Sequence, residues 1–184
     1  KIKTYNNIIR DYKFKPRNKL QTRIGKLDLK IAFWEAQKKN SIMPEDKWKI
    51  YENKAENYGG VAIYRDGFRV LPYGRVDFDF LGLEENRSKG AGYYYFSHRK
   101  MFGYVGISKL RNPKLIDKSG REGLVSNDAY RCFRGLLKDF FKEVGINYFG
   151  TKSEERQQFT QQQDRKRKQE ELIANEKKKN RKQL

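Results

Sequence analysis

The stretch Val61-Ala62-Ile63-Tyr64-Arg65-Asp66-Gly67-Phe68-Arg69-Val70-Leu71 constrains the fold of this chain more than any other. Two apolar runs, 61–64 and 68–71, flank Arg65-Asp66-Gly67, and Asp-Gly is the dipeptide that most readily takes the left-handed backbone of a tight turn, so the segment reads as a β-hairpin. Another strand precedes it. From Gly25 onward Leu27, Leu29, Ile31 and Phe33 alternate with Lys26, Asp28, Lys30 and Ala32, the period-two pattern of a strand between core and water. A second hairpin is expected to join residues 93–97 to residues 101–108, with His98-Arg99-Lys100 as a basic turn and His98 exposed on it. Pro72 to Asp79 are expected to leave the sheet.

Helical spacing occupies the rest. Pro44 suits a first helical turn, and Trp48, Tyr51, Ala55 and Tyr58 then recur three, four and three residues apart, ending at Gly59-Gly60. Ser126 or Asn127 caps a second helix, with Asp128 opposing its dipole. Tyr130, Phe133, Leu137, Phe140, Phe141 and Val144 mark its buried face, and Gly145 is the expected stop. Residues 1–22 have no clean period, and Pro16 breaks any helix there. From Thr151 the chain is rich in Gln, Lys and Glu with a thin apolar face, which reads as an exposed helix or the start of a coiled coil. The expected organisation is α+β: a basic segment over 1–23, a domain over 24–148 and a charged helical arm over 149–184.

Charge narrows the partners. The 184 residues carry 42 Lys and Arg against 23 Asp and Glu, a formal +19, and the first thirty contribute ten basic and two acidic side chains. Aromatics make up 14% of the chain, too many for whole-chain disorder. Self-repulsion of this size favours an anionic partner such as nucleic acid, phosphate or an acidic protein face, against the plainer reading of a solvated basic surface. No apolar run has the length of a membrane span or the form of a signal peptide, so no membrane partner is expected and a cytoplasmic location is. Cys132 is the one cysteine and His98 the one histidine, so neither an internal disulfide nor a zinc site can form. Cys132, beside Phe133, reads as a packing residue.

There is no Walker-type phosphate loop, Gly90-Ala91-Gly92 is too short for a dinucleotide fingerprint, and no Ser/His/Asp set occurs. The chain does not describe a complete enzyme by itself. Its informative stretch is Lys118-Ser119-Gly120-Arg121-Glu122-Gly123-Leu124-Val125-Ser126-Asn127, where glycines on both sides of Arg121 let the backbone bend before a capped helix. Arg121 either points outward as a planar cationic fork suited to phosphate or pairs with Glu122, Asp117 or a helix end. Tyr93-Tyr94-Tyr95-Phe96 either pack in the core or, beside Arg99 and Lys100, stack bases of a single-stranded nucleic acid. Arg165, Lys166, Arg167 and Lys168, with Lys177, Lys178 and Lys179, form a solvated helix face or track a phosphate backbone.

Four segments, residues 60–74, 80–84, 103–108 and 120–125, occur in an order that resembles the second domain of bacterial ATP-binding proteins of the GHKL class. That class includes gyrase B, the heat-shock chaperone ATPases, the mismatch-repair ATPases and the MORC proteins. The resemblance covers roughly residues 24–145. It implies a ribosomal S5 domain 2-like sheet with packed helices, acting as a transducer beside an N-terminal domain that holds Mg-ATP. Gly120-Arg121-Glu122-Gly123-Leu124 is similar to the chaperone segment whose arginine reaches the γ-phosphate, which implies that role for Arg121, assisted by Lys118. The Asp-x-Gly-x-Gly adenine segment is absent and the chain begins at Lys1, so the ATPase domain is expected to lie elsewhere in the parent protein. On this expectation ATP and Mg belong to the full-length parent, no cofactor sits on this piece, and it neither binds ATP tightly nor hydrolyses it alone. Homodimerisation of the parent is left open.

Overall fold

The computed structural model describes residues 1–3, 9–17, 23–36, 38, 41, 43–90, 95–120 and 122–181, the side chains of 9, 10 and 178–181 excepted. In chain order the elements are β1 (Ile2–Lys3), β2 (Ile9–Arg10), β3 (Asp28–Phe33), α1 (Glu45–Tyr58), β4 (Gly60–Arg65), β5 (Phe68–Val70), α2 (Leu83–Lys89), β6 (Met101–Ile107), α3 (Asp128–Val144) and α4 (Glu154–Arg181). The fold is α+β. β1 and β2 pair with each other, and the other strands make a four-stranded mixed sheet in the order β3-β6-β4-β5.

The Asp-Gly hairpin forms as its turn chemistry requires. β4 and β5 are antiparallel with Arg65 opposite Phe68, and Asp66 and Gly67 take φ of 49° and 87°, the left-handed pair of a type I′ turn. The second expected hairpin does not form. β6 is paired on both sides, antiparallel to β3 and parallel to β4, so it has no free edge for residues 95–97. Residues 98–100 are instead a single 3-10 turn leading into this central strand. His98, expected at the surface, is therefore buried at 1% exposure, with Nε2 2.8 Å from the Arg75 carbonyl oxygen. Its ring fills the space a side chain at Gly60 would need, since a Cβ there would lie 3.0 Å from it.

One face of the sheet carries the core. Val61 and Ile63 of β4 and Met101, Val105 and Ile107 of β6 pack in one cluster with Phe133, Leu137, Phe141 and Val144 of α3. These α3 positions follow the i, i+4, i+8 and i+11 spacing of one helix face. Asn127 is the N-cap, its Oδ1 accepting from the Tyr130 N–H at 2.8 Å. Gly145 does not stop the chain in a left-handed cap: its φ is −59°, and a π-helical turn continues over Gly145–Phe149. A Cβ at Gly145 would lie 3.4 Å from Tyr95 Cβ, so the glycine serves close packing.

α1 is buried along a line rather than across the expected stripe. Ala55 is buried, and Trp48 packs on Trp34 at 5.3 Å while its indole N–H donates to the Glu35 carbonyl at 3.0 Å. Tyr51 and Tyr58 stay 41% and 74% exposed, because the helix meets β6 and the 98–100 turn through few residues. Near the N-terminus Tyr12 and Phe14 pack on Phe140 of α3, and Tyr12 donates its hydroxyl to Glu143. Burial and the neighbouring Glu143 carboxylate push that phenol well above its ordinary value. Among the described residues no helix is long and apolar enough to cross a membrane.

Candidate functional site

The segment around Arg121 is a short loop with a fastened base. The Lys118 N–H donates to the Gly123 carbonyl at 3.0 Å and the Val125 N–H to the Ile116 carbonyl at 2.8 Å, closing a ladder across the loop. Leu115 and Leu124, each 2% exposed, drop from its two sides into the core. The Leu124 N–H also donates to the Tyr73 hydroxyl at 3.2 Å, and Glu122 bridges to Leu71 at the end of β5. Gly123 takes a φ of +100° in which a side chain would be strained and would sit against the Tyr73 ring. At Gly120, by contrast, a Cβ would meet nothing within 4 Å.

Arg65 ties this base to the sheet. It stands on the same β4 face as Val61 and Ile63 and is 6% exposed, so its guanidinium had to find buried partners. It donates to the Leu115 carbonyl and pairs with Asp117 at 2.9 Å. Residues 61–64 are apolar on both faces, so no local pattern marked Arg65 as inward-facing, and its partners lie some fifty residues away. Asp117, one of the partners weighed for Arg121, is thereby engaged from beneath the loop.

A cleft of about 680 Å³ opens beside the loop, lined by Arg69, Lys109, Asp117, Lys118 and Ser119. Lys118 is exposed on it, and Asp66 accepts from the Lys109 N–H at 3.2 Å to hold the far wall. Arg65, Arg69, Lys109 and Lys118 against Asp66 and Asp117 leave the cleft net positive, a field suited to a phosphoryl group. Arg121 itself lies outside the described residues, between Gly120 and Glu122, which both lie within them.

The remaining predicted site residues are elsewhere. Arg165, Lys166, Arg167, Lys168 and Lys177 are exposed on α4, where Arg167 reaches Asp164 at 3.1 Å, and the side chains of Lys178 and Lys179 lie outside the described residues. Of the aromatic run, Phe96 is core, against Phe33 and Phe141, and Tyr95 is half-buried beside Phe33; Tyr93 and Tyr94 lie outside the described residues. Cys132 is a half-buried free thiol packed against the core. Among the described residues no group of three or more His, Cys, Asp or Glu side chains gathers to hold a metal. No protein family, curated protein or solved structure matches this chain.

Proposed function

We propose that this chain is the transducer domain of a GHKL-class ATP-binding protein, with a ribosomal S5 domain 2-like fold. Arg121 reaches the γ-phosphate of Mg-ATP held by the N-terminal domain of the same protein, and Lys118 adds a second cation from the cleft. α4 is the arm that carries the nucleotide state onward. Four segments in family order support the reading. The observation that carries it is the loop: its base is fastened by Arg65, Tyr73 and two backbone bonds, while space is open at its Gly120 tip. A cation on such a base needs little reorganisation to meet charge that develops on a transferring phosphoryl group, which is how arginine fingers act.

The test is ATP turnover by the parent protein with Arg121→Ala. A drop of roughly 10³-fold is expected from the loss of such an arginine, with Lys118→Ala milder. Wild-type turnover by a folded Arg121→Ala protein overturns the assignment, as does tight ATP binding by the 184-residue chain alone in calorimetry.

A second reading, a sequence-tolerant nucleic-acid-binding module, is favoured by the exposure of Arg165, Lys166, Arg167 and Lys168 along α4. It predicts binding whose logarithm falls linearly with log salt and is unchanged by Arg121→Ala. Absence of binding at about 50 mM salt removes it.

A further inference from the structure

The sheet has a second face, covered by His98 and Gly74 at its Gly60 end and open around Tyr64 and Tyr104. Residues 60, 62 and 64 of β4 and 102, 104 and 106 of β6 point away from the core positions 61, 63, 101 and 105. In register across the strands, Lys30 stands opposite Tyr104, and Tyr64 stands opposite Arg69. Between β6 and β4 Tyr104 stands opposite Ala62, so Tyr64 is its diagonal neighbour, and the four strands contribute Lys30, Tyr104, Tyr64 and Arg69 to one oblique row from edge to edge. The two tyrosine rings are 5.7 Å apart and nearly perpendicular, with Tyr104 38% exposed.

Small residues, Gly60, Ala62 and Gly106, make a low floor around these rings. Over it lies a groove of about 710 Å³, walled by Tyr58 at the end of α1 on one side and by Gly74 to Asp77 on the other. Gly74 lets that wall approach closely, because a Cβ there would lie 2.7 Å from Ala62 Cα. The acids of this face are already matched: Asp28 is held by Arg111 at 2.6 Å and Asp77 by Arg75 at 2.8 Å. Glu52 and Glu56 line the neighbouring groove under Trp34. Lys30 and Arg69 are exposed at the two sheet edges, on a chain of formal charge +19.

We propose that this open face binds a single-stranded nucleic acid, its bases stacking on Tyr104 and Tyr64 and its phosphates held by Lys30 and Arg69. Aromatic rings on the free face of a four-stranded sheet, with cations at the rim, are what unpaired bases need, since every base has a π-face. In a duplex the base faces are stacked on one another, and only base edges and phosphates are left to bind. The site shares its ligand class with the second reading above but uses other residues, and it does not rest on the transducer reading.

The experiment is fluorescence anisotropy with the whole chain, a labelled 15-nucleotide oligo-dT and a 15-base-pair duplex, at about 50 and 200 mM salt, where phosphate contacts weaken steeply. The single strand is expected to bind at least about tenfold tighter than the duplex, and Tyr64→Ala/Tyr104→Ala to abolish that margin. Tyr104→Phe keeps it, because the ring remains. Arg69→Gln lowers the salt slope by about one. Replacing Arg165, Lys166, Arg167 and Lys168 by Gln weakens both probes alike and leaves the margin. Equal affinity for the duplex, wild-type binding by the double variant with unchanged circular dichroism, or no binding of oligo-dT overturns the proposal. So does a concentration-dependent dimer that the double variant abolishes, which would make the face a self-association surface.

Discussion

Gly67 separates backbone from side-chain effects. A Cβ at this position would meet nothing within 4 Å, yet φ is +87°, so Gly67→Ala loads only the left-handed backbone of the turn. The expected cost is about 1 kcal/mol, read as a lower urea midpoint at unchanged slope. Arg65 is the opposite case, a buried cation whose whole environment is tertiary. Arg65→Ala leaves the Leu115 carbonyl without its donor and the partly exposed Asp117 without its pair, and should cost about 1–3 kcal/mol in the same measurement. Lysine does not replace it, because one ammonium cannot reach the forked set of acceptors. Polarity alone puts an arginine and a histidine at the surface. Neither burial was readable in the sequence: Arg65 ends an apolar run beside the turn, and the carbonyl of Arg75 that receives His98 lies in a loop 23 residues away.

At the scale of elements, legibility follows length. α3 runs for 17 residues, enough for its apolar face and its Asn127 cap to show in the sequence. α2 has seven residues, under two turns, and no period is visible in so short a piece. Its start depends on Gly82 in a left-handed conformation at φ 67° and on Asp79, whose carboxylate accepts the Glu84 N–H at 2.9 Å. Glu84 in turn fastens α2 to the 98–100 turn, accepting from Ser97 Oγ at 2.6 Å and from the Arg99 N–H at 3.1 Å. Burial pushes this carboxyl up, but the two hydrogen bonds and the nearby arginines outweigh it and hold it below its ordinary value of 4.5. A depressed folded-state value stabilises the fold fully above the unfolded value and is lost as pH falls through the folded one. Urea stability should therefore fall as pH drops below the ordinary carboxyl value, and Glu84→Gln should flatten part of that dependence. An unchanged pH profile in the variant would remove Glu84 from the acid response.

Across the whole molecule, order is unevenly spread. The buried strands β4 and β6 and the inner face of α3 share one cluster, whereas α4 keeps Phe159 buried and is exposed at the described positions beyond it, Gln163 excepted. At 28 residues α4 is about 42 Å long. A helix with so little packing opens easily. Hydrogen exchange should strip its amides beyond Gln163 while those of Ile63 and Val105 remain protected; protection along α4 would mean that another surface holds it.

The same division separates what the sequence determined from what tertiary structure decided. β3, the β4–β5 hairpin, α1 and α3 were legible, because periodicity and turn chemistry act between residues a few positions apart. The strand order β3-β6-β4-β5, the parallel pairing of β6 with β4, the burial of His98 and the free face carrying Tyr64 and Tyr104 were settled only on folding. Those outcomes depend on which distant segment satisfies a strand edge or a buried donor, and backbone N–H and C=O groups are alike at every residue, so no local pattern of side chains records that choice.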